Sequence, residues 1–331
     1  MSIHTAIERL DYRTAESVSP GHPDKLCDQI SDAILDAYLT VDPNARVAIE
    51  ACGGHGTVFL TGEVTAGQYV DVVPIVKRLA GEDVEIIEHI VKQSPEIARG
   101  VDAGGAGDQG IMVGYACNET PELLPLETVL ARQLNQHLFD QWPFDGKTQV
   151  TLRNGVIESV VASFQNVDQA SLKQAVESWL KEIAGIAVSP EVQLHINPAG
   201  DWSQGGFDAD AGLTGRKLVV DNYGPGVPIG GGCFSGKDAS KVDRSAAYMA
   251  RRVAVDYLRK NNAKEVYCYL AYAIGYDQPL EATVIVDGVQ QIVEGYDLSP
   301  RGIIEALDLK KPQYEQTARY GHFGHGFAWD K

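Results

Sequence analysis

The chain has 331 residues, 44% of them hydrophobic and 22% charged, which is typical of a globular protein of about two domains or three small ones. Its formal net charge of −17 argues against nucleic acid or an anionic membrane as a partner. No apolar run approaches the roughly 20 residues that span a bilayer, and the first residues lack the apolar segment of a secretory signal.

The first predicted elements are a helix and a hairpin. In HPDKLCDQISDAILDAYL, Leu26, Ile30 and Ile34 recur at helical spacing, and Pro23 is tolerated in the first turn. The next stretch, ARVAIEACGGHGTVFLTGEVTA, alternates apolar and polar residues on both sides of residues 53–56, as expected for a hairpin. A second helical stretch, YVDVVPIVKRLA, follows this hairpin.

The same order of hairpin and helix recurs twice. TQVTLRNGVIESVVASFQ turns at Asn154 and Gly155, a strong hairpin signal, and the helix DQASLKQAVESWLKEIAG follows. Another helix, DRSAAYMARRVAVDYLRK, precedes the third hairpin, EVYCYLAYAIGYDQPLEATVIVDG, and its helix, SPRGIIEALDL. The pattern predicts an α+β fold of three similar sheet-plus-helix units with a pseudo-threefold arrangement. We place the units approximately at residues 1–120, 121–230 and 231–331, with the first one discontinuous.

The cysteines indicate the redox environment. They are odd in number, scattered, and never form a C-x-x-C pair, which argues against a disulfide framework and a zinc site. A reducing cytoplasm is therefore the expected location. The five are Cys27, Cys52, Cys117, Cys233 and Cys268.

Cations gather near a glycine-rich segment, since residues 216–244 hold five of the 28 Lys and Arg of this acidic chain. GGCFSGKD resembles the Walker A pattern, but Asp238 stands where a hydroxyl should be and no buried strand precedes it, so we reject a P-loop fold. Backbone N–H groups of the glycines and Lys237 still predict a phosphate site. The alternative is a solvated helix face.

Other loops carry acidic and basic residues, each of which has either a ligand-binding role or an ordinary structural role. His22 and Asp24 stand at a helix start, where an anion is favoured; Asp24 is either a metal ligand or an ordinary first-turn acid. Asp108 in GAGDQGIM is either a ligand contact or a turn residue. Arg216 and Lys217 precede LVVD, a predicted strand whose edge they would protect. Taken together, acids for Mg²⁺ and cations for polyphosphate predict chemistry on a nucleoside triphosphate.

Longer motifs add a family resemblance. From about Glu16 onwards the chain resembles S-adenosylmethionine synthetase (methionine adenosyltransferase) in ESVSPGHPDKLCDQISDAILDA, GAGDQGIM-GYA-NET, GLTGRK--VD-YG, GGG-FSGKD-SKVDRSAAY-AR and YGHFG. The resemblance implies that ATP and L-methionine are the substrates. The methionine sulfur attacks the ribose C5′ and displaces triphosphate, which is hydrolysed to phosphate and diphosphate. It also implies a homodimer or homotetramer with sites between subunits.

The resemblance assigns roles to individual residues. His22, Arg216 and Lys237 are the implied catalytic residues, with His22 near the bridging oxygen at C5′. Asp24 and Asp243 are the implied ligands of two Mg²⁺ per site. The implied K⁺ ligand is Glu50. The implied methionine contacts are Glu63, Gln93, Asp210 and Lys241. The implied ATP contacts, besides the three catalytic residues, are Asp108, Asp145, Lys147, Asp201, Trp202, Asp210, Lys217 and Cys233.

The chain departs from the family pattern at a few positions. Trp202 stands where Phe commonly stacks on adenine, Cys233 replaces a small residue, and Pro20 replaces an acid. The segment between Gln93 and Asp108, which corresponds to the family's mobile lid, is short.

Two other functions compete with the synthetase. A metal-dependent tripolyphosphatase or ATP hydrolase would use the same cations but would not need Glu63 or Gln93. A non-enzymatic regulatory subunit would be expected to lack His22, Asp24 or Lys237, and all three are present.

Overall fold

The computed structural model describes residues 12–93 and 104–331, which contain three four-stranded sheets. The strands are β1 (Tyr12–Val18), β2 (Arg46–Gly54), β3 (Thr57–Thr65), β4 (Glu85–Val91), β5 (Gly110–Cys117), β6 (Gly146–Arg153), β7 (Val156–Phe164), β8 (Val188–Ile196), β9 (Gly212–Leu213), β10 (Glu265–Tyr272), β11 (Glu281–Val286) and β12 (Val289–Ile292). The helices are α1 (Pro23–Val41), α2 (Val73–Ala80), α3 (Leu126–Phe139), α4 (Gln169–Glu182), α5 (Leu218–Asp221), α6 (Val242–Asn261), α7 (Pro300–Leu307) and α8 (Thr317–Tyr320). Two short 3₁₀ helices span Gly206–Asp208 and Ala328–Asp330.

The three predicted hairpins are confirmed, and each lies in its own sheet. The first sheet has the order β4-β3-β2-β9, the second β1-β6-β7-β8, and the third β12-β11-β10-β5. The hairpins are β2–β3, β6–β7 and β10–β11, all antiparallel. Strand β1 pairs with β6 and strand β5 with β10, so two strands from residues 1–120 complete the other sheets.

One long helix covers each sheet, which confirms the α+β class and the three sheet-plus-helix units. Helix α1 packs on β2 and β9, α3 on β1 and β6, and α6 on β5 and β10. The stretches predicted as α2, α4 and α7 are helical. The sequence pattern did not reveal α3. Among the described residues no helix combines the length and apolar character needed to cross a membrane.

The core explains why β2 presents two different faces. Val47, Ile49 and Ala51 are buried against α1, while Glu50 and Cys52, which alternate with them, are exposed. One hydrophobic cluster joins the first and third sheets with α1 and α6, and a second lies between the second sheet, α3 and α4. The face of the first sheet that carries Glu50 and Cys52 is therefore exposed.

The prediction of a strand at LVVD is wrong, because Leu218–Asp221 forms the single-turn helix α5. The backbone N–H of Asp221 donates to the carbonyl of Lys217 at 2.9 Å. The Asp221 carboxylate also reaches Lys25 Nζ at 2.8 Å. A short apolar run does not distinguish a strand from a buried helical turn.

Gly114 tests the packing of β5 against α6. An added Cβ would lie 2.0 Å from the carbonyl oxygen of Ala250, a backbone atom of α6. We expect Gly114→Ala to lower the free energy of unfolding by about 1–3 kcal/mol or more, the usual cost of overpacking. Chemical denaturation measures this loss. Gly226→Ala is the control, because an added Cβ there meets nothing within 4 Å. Equal losses in both variants would contradict the packing.

Candidate functional site

His22 caps the N-terminus of α1 as a hydrogen-bond acceptor. Its Nδ1 accepts the backbone N–H of Asp24 at 3.1 Å, so the remaining ring proton belongs on Nε2. Burial, together with the nearby charges of Lys217 and Lys147, lowers the pKa of His22 to about 3. The imidazole is therefore neutral at physiological pH and offers one N–H at a helix start.

Asp24 is a buried carboxylate held in its ionised form by two cations. Its Oδ1 lies 2.8 Å from Arg216 Nε and accepts the backbone N–H of Leu213 at 3.0 Å. Its Oδ2 accepts a hydrogen bond from Lys217 Nζ. Burial alone would raise the pKa of Asp24, but the hydrogen bonds from Lys217 and Leu213 outweigh it and lower the pKa. The predicted residues His22, Asp24, Arg216 and Lys217 thus form one group.

The loop that carries Arg216 and Lys217 lies directly on α1. A Cβ at Gly212 would be 2.1 Å from the carbonyl oxygen of Pro23. Gly215 has φ +77°, which favours glycine, and its N–H donates to Asp28 Oδ1 at 2.8 Å. The glycines of GLTGRK therefore allow close contact between this loop and the helix.

A second loop carries Lys237 and is held in the same way. Gly236 has φ +80°, and its N–H donates to Asp32 Oδ1 at 2.8 Å. Lys237 Nζ donates to Asp243 Oδ2 at 2.5 Å, in the first turn of α6. Burial would lower the pKa of Lys237, but the hydrogen bond with Asp243 raises it, so this side chain stays charged.

Cys233 joins the two loops. A Cβ at Gly215 would lie 2.4 Å from the Cβ of Cys233, so the two backbones meet here. Burial raises the pKa of the Cys233 thiol to about 12, which keeps it protonated. The Cys233 side chain fills the space beside Gly215.

Lys241 takes a different partner from Lys237. Its Nζ donates to Asp238 Oδ2 at 2.5 Å, and the same oxygen accepts the backbone N–H of Val47 at 2.7 Å. Asp238, the residue that breaks the Walker pattern, thus anchors the loop to β2.

Predicted nucleotide contacts lie next to the start of α1. The backbone of Gly21 passes so close to that of Asp145 that an added Cβ would lie 2.9 Å from the Asp145 nitrogen. Asp145 Oδ2 accepts the N–H of Gly206 at 3.0 Å, and burial raises the pKa of this carboxyl. The other two side chains in this region, Lys147 and Asp210, are exposed and influence the pKa of His22.

Trp202 is half-buried beside this region. Its indole N–H donates to Asn197 Oδ1 at 3.3 Å, and its ring lies against the backbone of Gly205. Asp201, its neighbour, is exposed.

The remaining predicted residues lie on β3 and in two loops, and Glu63 faces Ala48, which also bridges to Lys237. Asp108 is exposed and accepts the N–H of Gln109 at 2.7 Å. Gln93 is buried, and its Oε1 has no hydrogen-bond partner within the described ranges. The lid expected at residues 94–107 lies mostly outside the described residues.

Two carboxylates, Asp24 and Asp243, are the residues that could hold a metal ion. In residues 12–93 and 104–331, no group of three or more His, Cys, Asp and Glu side chains is arranged to hold a metal. Asp24 and Asp243 are separate carboxylates with different cation partners. Mg²⁺ is commonly held by one or two carboxylates and the substrate's phosphates, not by a cage of protein ligands alone.

The sequence pattern did not reveal the buried charges that support both loops. Lys25 Nζ lies 2.8 Å from Asp221 and 3.2 Å from Asp28. Arg244 makes a bidentate pair with Asp32, at 2.6 and 2.8 Å. A signal was present, since the acids of α1 recur at every fourth position, which places them on one helix face.

The protonation of His22 is directly measurable. We expect its imidazole to stay neutral from about pH 8 to about pH 5, since the folded pKa is near 3. The unfolded chain binds this proton near pH 6.5, so the contribution of His22 to stability is lost as the pH falls from about 6.5 towards 3. Imidazole ¹⁵N shifts report this state, with His22→Asn to assign the signal. A titration midpoint near pH 6.5 would contradict the buried, neutral ring.

Comparison with protein families covers nearly the whole chain. Residues 11–95 match the S-adenosylmethionine synthetase N-terminal domain, and residues 103–202 match the central domain. Residues 204–331 match the C-terminal domain of the same family. Both cation-bearing loops and α6 fall within the C-terminal match, while α1 falls within the N-terminal one. The chain belongs to the S-adenosylmethionine synthetase family.

Proposed function

We propose that the protein makes S-adenosylmethionine from ATP and L-methionine. The methionine sulfur attacks the ribose C5′ and displaces the whole triphosphate, which is then hydrolysed to phosphate and diphosphate. The observation that carries this proposal is the placement of three cations, Arg216, Lys217 and Lys237, on two glycine loops against one helix. In a chain with net charge −17, such a local concentration of positive charge favours a polyanion.

The chemistry requires orientation and charge stabilisation more than a strong base. A thioether sulfur is a neutral nucleophile with no proton to lose, so the barrier falls when it is aligned with C5′ and when the leaving triphosphate is stabilised. Arg216 and Lys237 supply positive charge to the leaving oxygens. His22, neutral and protonated at Nε2, donates a hydrogen bond near the bridging oxygen.

Each of these cations already has a carboxylate partner. Arg216 and Lys217 pair with Asp24, and Lys237 pairs with Asp243. With the nucleotide bound, the cations would exchange these carboxylates for phosphate oxygens, and Asp24 and Asp243 would be the residues that hold two Mg²⁺. Bound Mg²⁺ supplies further charge stabilisation to the phosphate oxygens. The guanidinium of Arg216 suits this exchange, because its planar fork matches phosphate as well as carboxylate.

The adenosine contacts extend from this group towards the central unit. The close approach of Gly21 to Asp145 places the second sheet beside His22. Trp202, half-buried beside Gly205, offers an aromatic face for adenine. The other proposed nucleotide contacts are Asp108, Lys147, Asp201, Asp210 and Cys233.

Methionine and K⁺ are assigned to polar residues around the first sheet. The buried Oε1 of Gln93, without a partner within the described ranges, is an acceptor for the methionine ammonium group. Asp210 and Glu63 supply negative charge for the same group, and Lys241 supplies positive charge for the carboxylate. Glu50 is the proposed K⁺ ligand.

The outer face of the first sheet supports an assembly with shared sites. Phe59, Ile87 and Val91 are 36%, 46% and 52% exposed, and the strand registers place them on one face together with Glu50 and Glu63. Apolar residues exposed in a contiguous sheet are typical of an interface. We propose a cytoplasmic homodimer or homotetramer in which this face completes the site of a second subunit.

A product assay tests the proposed function. The protein is incubated with ATP, L-methionine, Mg²⁺ and K⁺, and S-adenosylmethionine, phosphate and diphosphate are quantified. We expect the three products in equal amounts. Phosphate release without S-adenosylmethionine would favour a hydrolase, and no turnover would favour a non-enzymatic subunit.

Lys237→Met removes one charge from the leaving-group contacts. Loss of such a contact typically costs about 3 kcal/mol in the transition state, so we expect kcat to fall about 10²-fold. Lys173→Met, on the exposed face of α4, is the matched control and should keep wild-type kcat. Near-normal turnover of Lys237→Met at saturating ATP and Mg²⁺ would rule out this role.

Asp24→Asn and Asp243→Asn test the metal assignment. An amide is a poorer ligand than a carboxylate for a hard cation, so both variants should need more Mg²⁺ for half-maximal activity. Asp168→Asn, at the start of α4, is the control for loss of one negative charge. An unchanged Mg²⁺ titration in both site variants would refute the assignment.

A further inference from the structure

Four aspartates of α1 bind three different segments of the chain, at residues 213–215, 236 and 313–315. Asp24, Asp28, Asp32 and Asp36, which we call the aspartate stripe, stand at every fourth position and share one helix face. The first three accept single backbone N–H groups, from Leu213 at 3.0 Å, Gly215 at 2.8 Å and Gly236 at 2.8 Å. Asp36 accepts those of residues 313–315 at 2.9 to 3.0 Å.

The two middle members are buried beside cations, and burial raises the pKa of Asp28 to about 7 against the opposing effect of Lys25. Asp28 and Asp32 are 0% exposed. Lys25 lies 3.2 Å from Asp28 and shares its charge with Asp221, while Arg244 binds Asp32 through both terminal nitrogens. Charge-assisted and bidentate hydrogen bonds are short and directional, so both carboxylates are fixed in place.

Each of these carboxylates binds the residue before a site cation. Gly215 precedes Arg216, and Gly236 precedes Lys237. Both glycines have positive φ, near +80°, so the backbone turns at the point where the hydrogen bond is made. Any shift of either glycine N–H therefore moves the Cα of the following cation.

We propose that Asp28 and Asp32 are positioning residues, which set Arg216, Lys217 and Lys237 over the triphosphate without touching it. This inference rests on the proposed function, since it takes these cations as the triphosphate site. A cation stabilises the leaving triphosphate only if its position relative to the phosphate oxygens is fixed. A displacement of about 1 Å from a remote mutation can cost about 10²-fold in rate.

Asp28 is the better residue for a test. Its removal leaves Lys25 paired one to one with Asp221, so no buried charge is left alone. Removal of Asp32 would instead leave the fully buried guanidinium of Arg244 without its carboxylate, and such a variant is at risk of unfolding.

The experiment compares Asp28→Ala, Asp28→Asn and Asp36→Ala in the full chain. Asp36 is the matched control, because it belongs to the same stripe but binds residues 313–315, which carry no site residue. Affinity for Mg²⁺ and tripolyphosphate is measured by calorimetry, beside thermal stability and kcat. We expect Asp28→Ala to bind about tenfold more weakly and to lose about 10²-fold in kcat. Asp28→Asn keeps an acceptor oxygen, so it should retain most of the tripolyphosphate affinity and most of kcat.

The control separates positioning from stability. Asp36→Ala should lose thermal stability and keep wild-type affinity and kcat. Equal loss of affinity in Asp28→Ala and Asp36→Ala, or unchanged affinity in Asp28→Ala, would overturn the positioning role. A third outcome separates the two proposals. If Asp28→Ala binds tripolyphosphate more weakly than wild type but neither protein makes S-adenosylmethionine, the positioning role is supported and the proposed function is wrong. If wild type binds no tripolyphosphate, both are overturned.

Discussion

The hydrogen bonds from glycine N–H groups to buried carboxylates of α1 are the constraint on which the site depends. Asp28 and Asp32 each accept one backbone amide from a different cation-bearing loop, which holds both loops against the same helix. Glycine is required on the loop side, since positive φ and close approach exclude a side chain. Burial of Asp28 and Asp32 in turn requires Lys25 and Arg244, so the support extends through the core to α6.

Each site cation is also paired with a carboxylate. Cations that would repel one another are neutralised by Asp24 and Asp243, one at the start of α1 and the other at the start of α6. In the proposed function, the cations would bind phosphate and the carboxylates would bind Mg²⁺, so every charge would stay compensated. This explains how an acidic protein can maintain a compact group of cations.

Hairpins and amphipathic helices were predictable from the sequence, because alternation and helical spacing are local. The second and third hairpins have turns at Asn154 and Gly155 and near residues 276–279, and their strands follow the expected pairing. The partners of β1 and β5 were not predictable, since pairing over more than 100 residues leaves no local signal. LVVD was misassigned because a short apolar run does not distinguish a strand from a buried helical turn.

The site could be predicted in part, because its loop residues lie in local sequence motifs. Motifs revealed the polar loop residues, and the structure places His22, Asp24, Arg216 and Lys217 in contact with one another or with shared partners. Asp28 and Asp32 were missed, although they repeat at every fourth position, because an acid on a helix is usually solvated and only the tertiary structure shows it buried.

Hydrogen exchange of two backbone amides tests the central claim most directly. In wild type, the N–H groups of Gly215 and Gly236 are bonded to separate carboxylates, so both should exchange slowly. In Asp28→Ala, the account predicts that Gly215 exchanges at least about tenfold faster while Gly236 is unchanged, a loss of about 1.4 kcal/mol of local protection. Unchanged protection of Gly215, or equal acceleration of both amides, would contradict it.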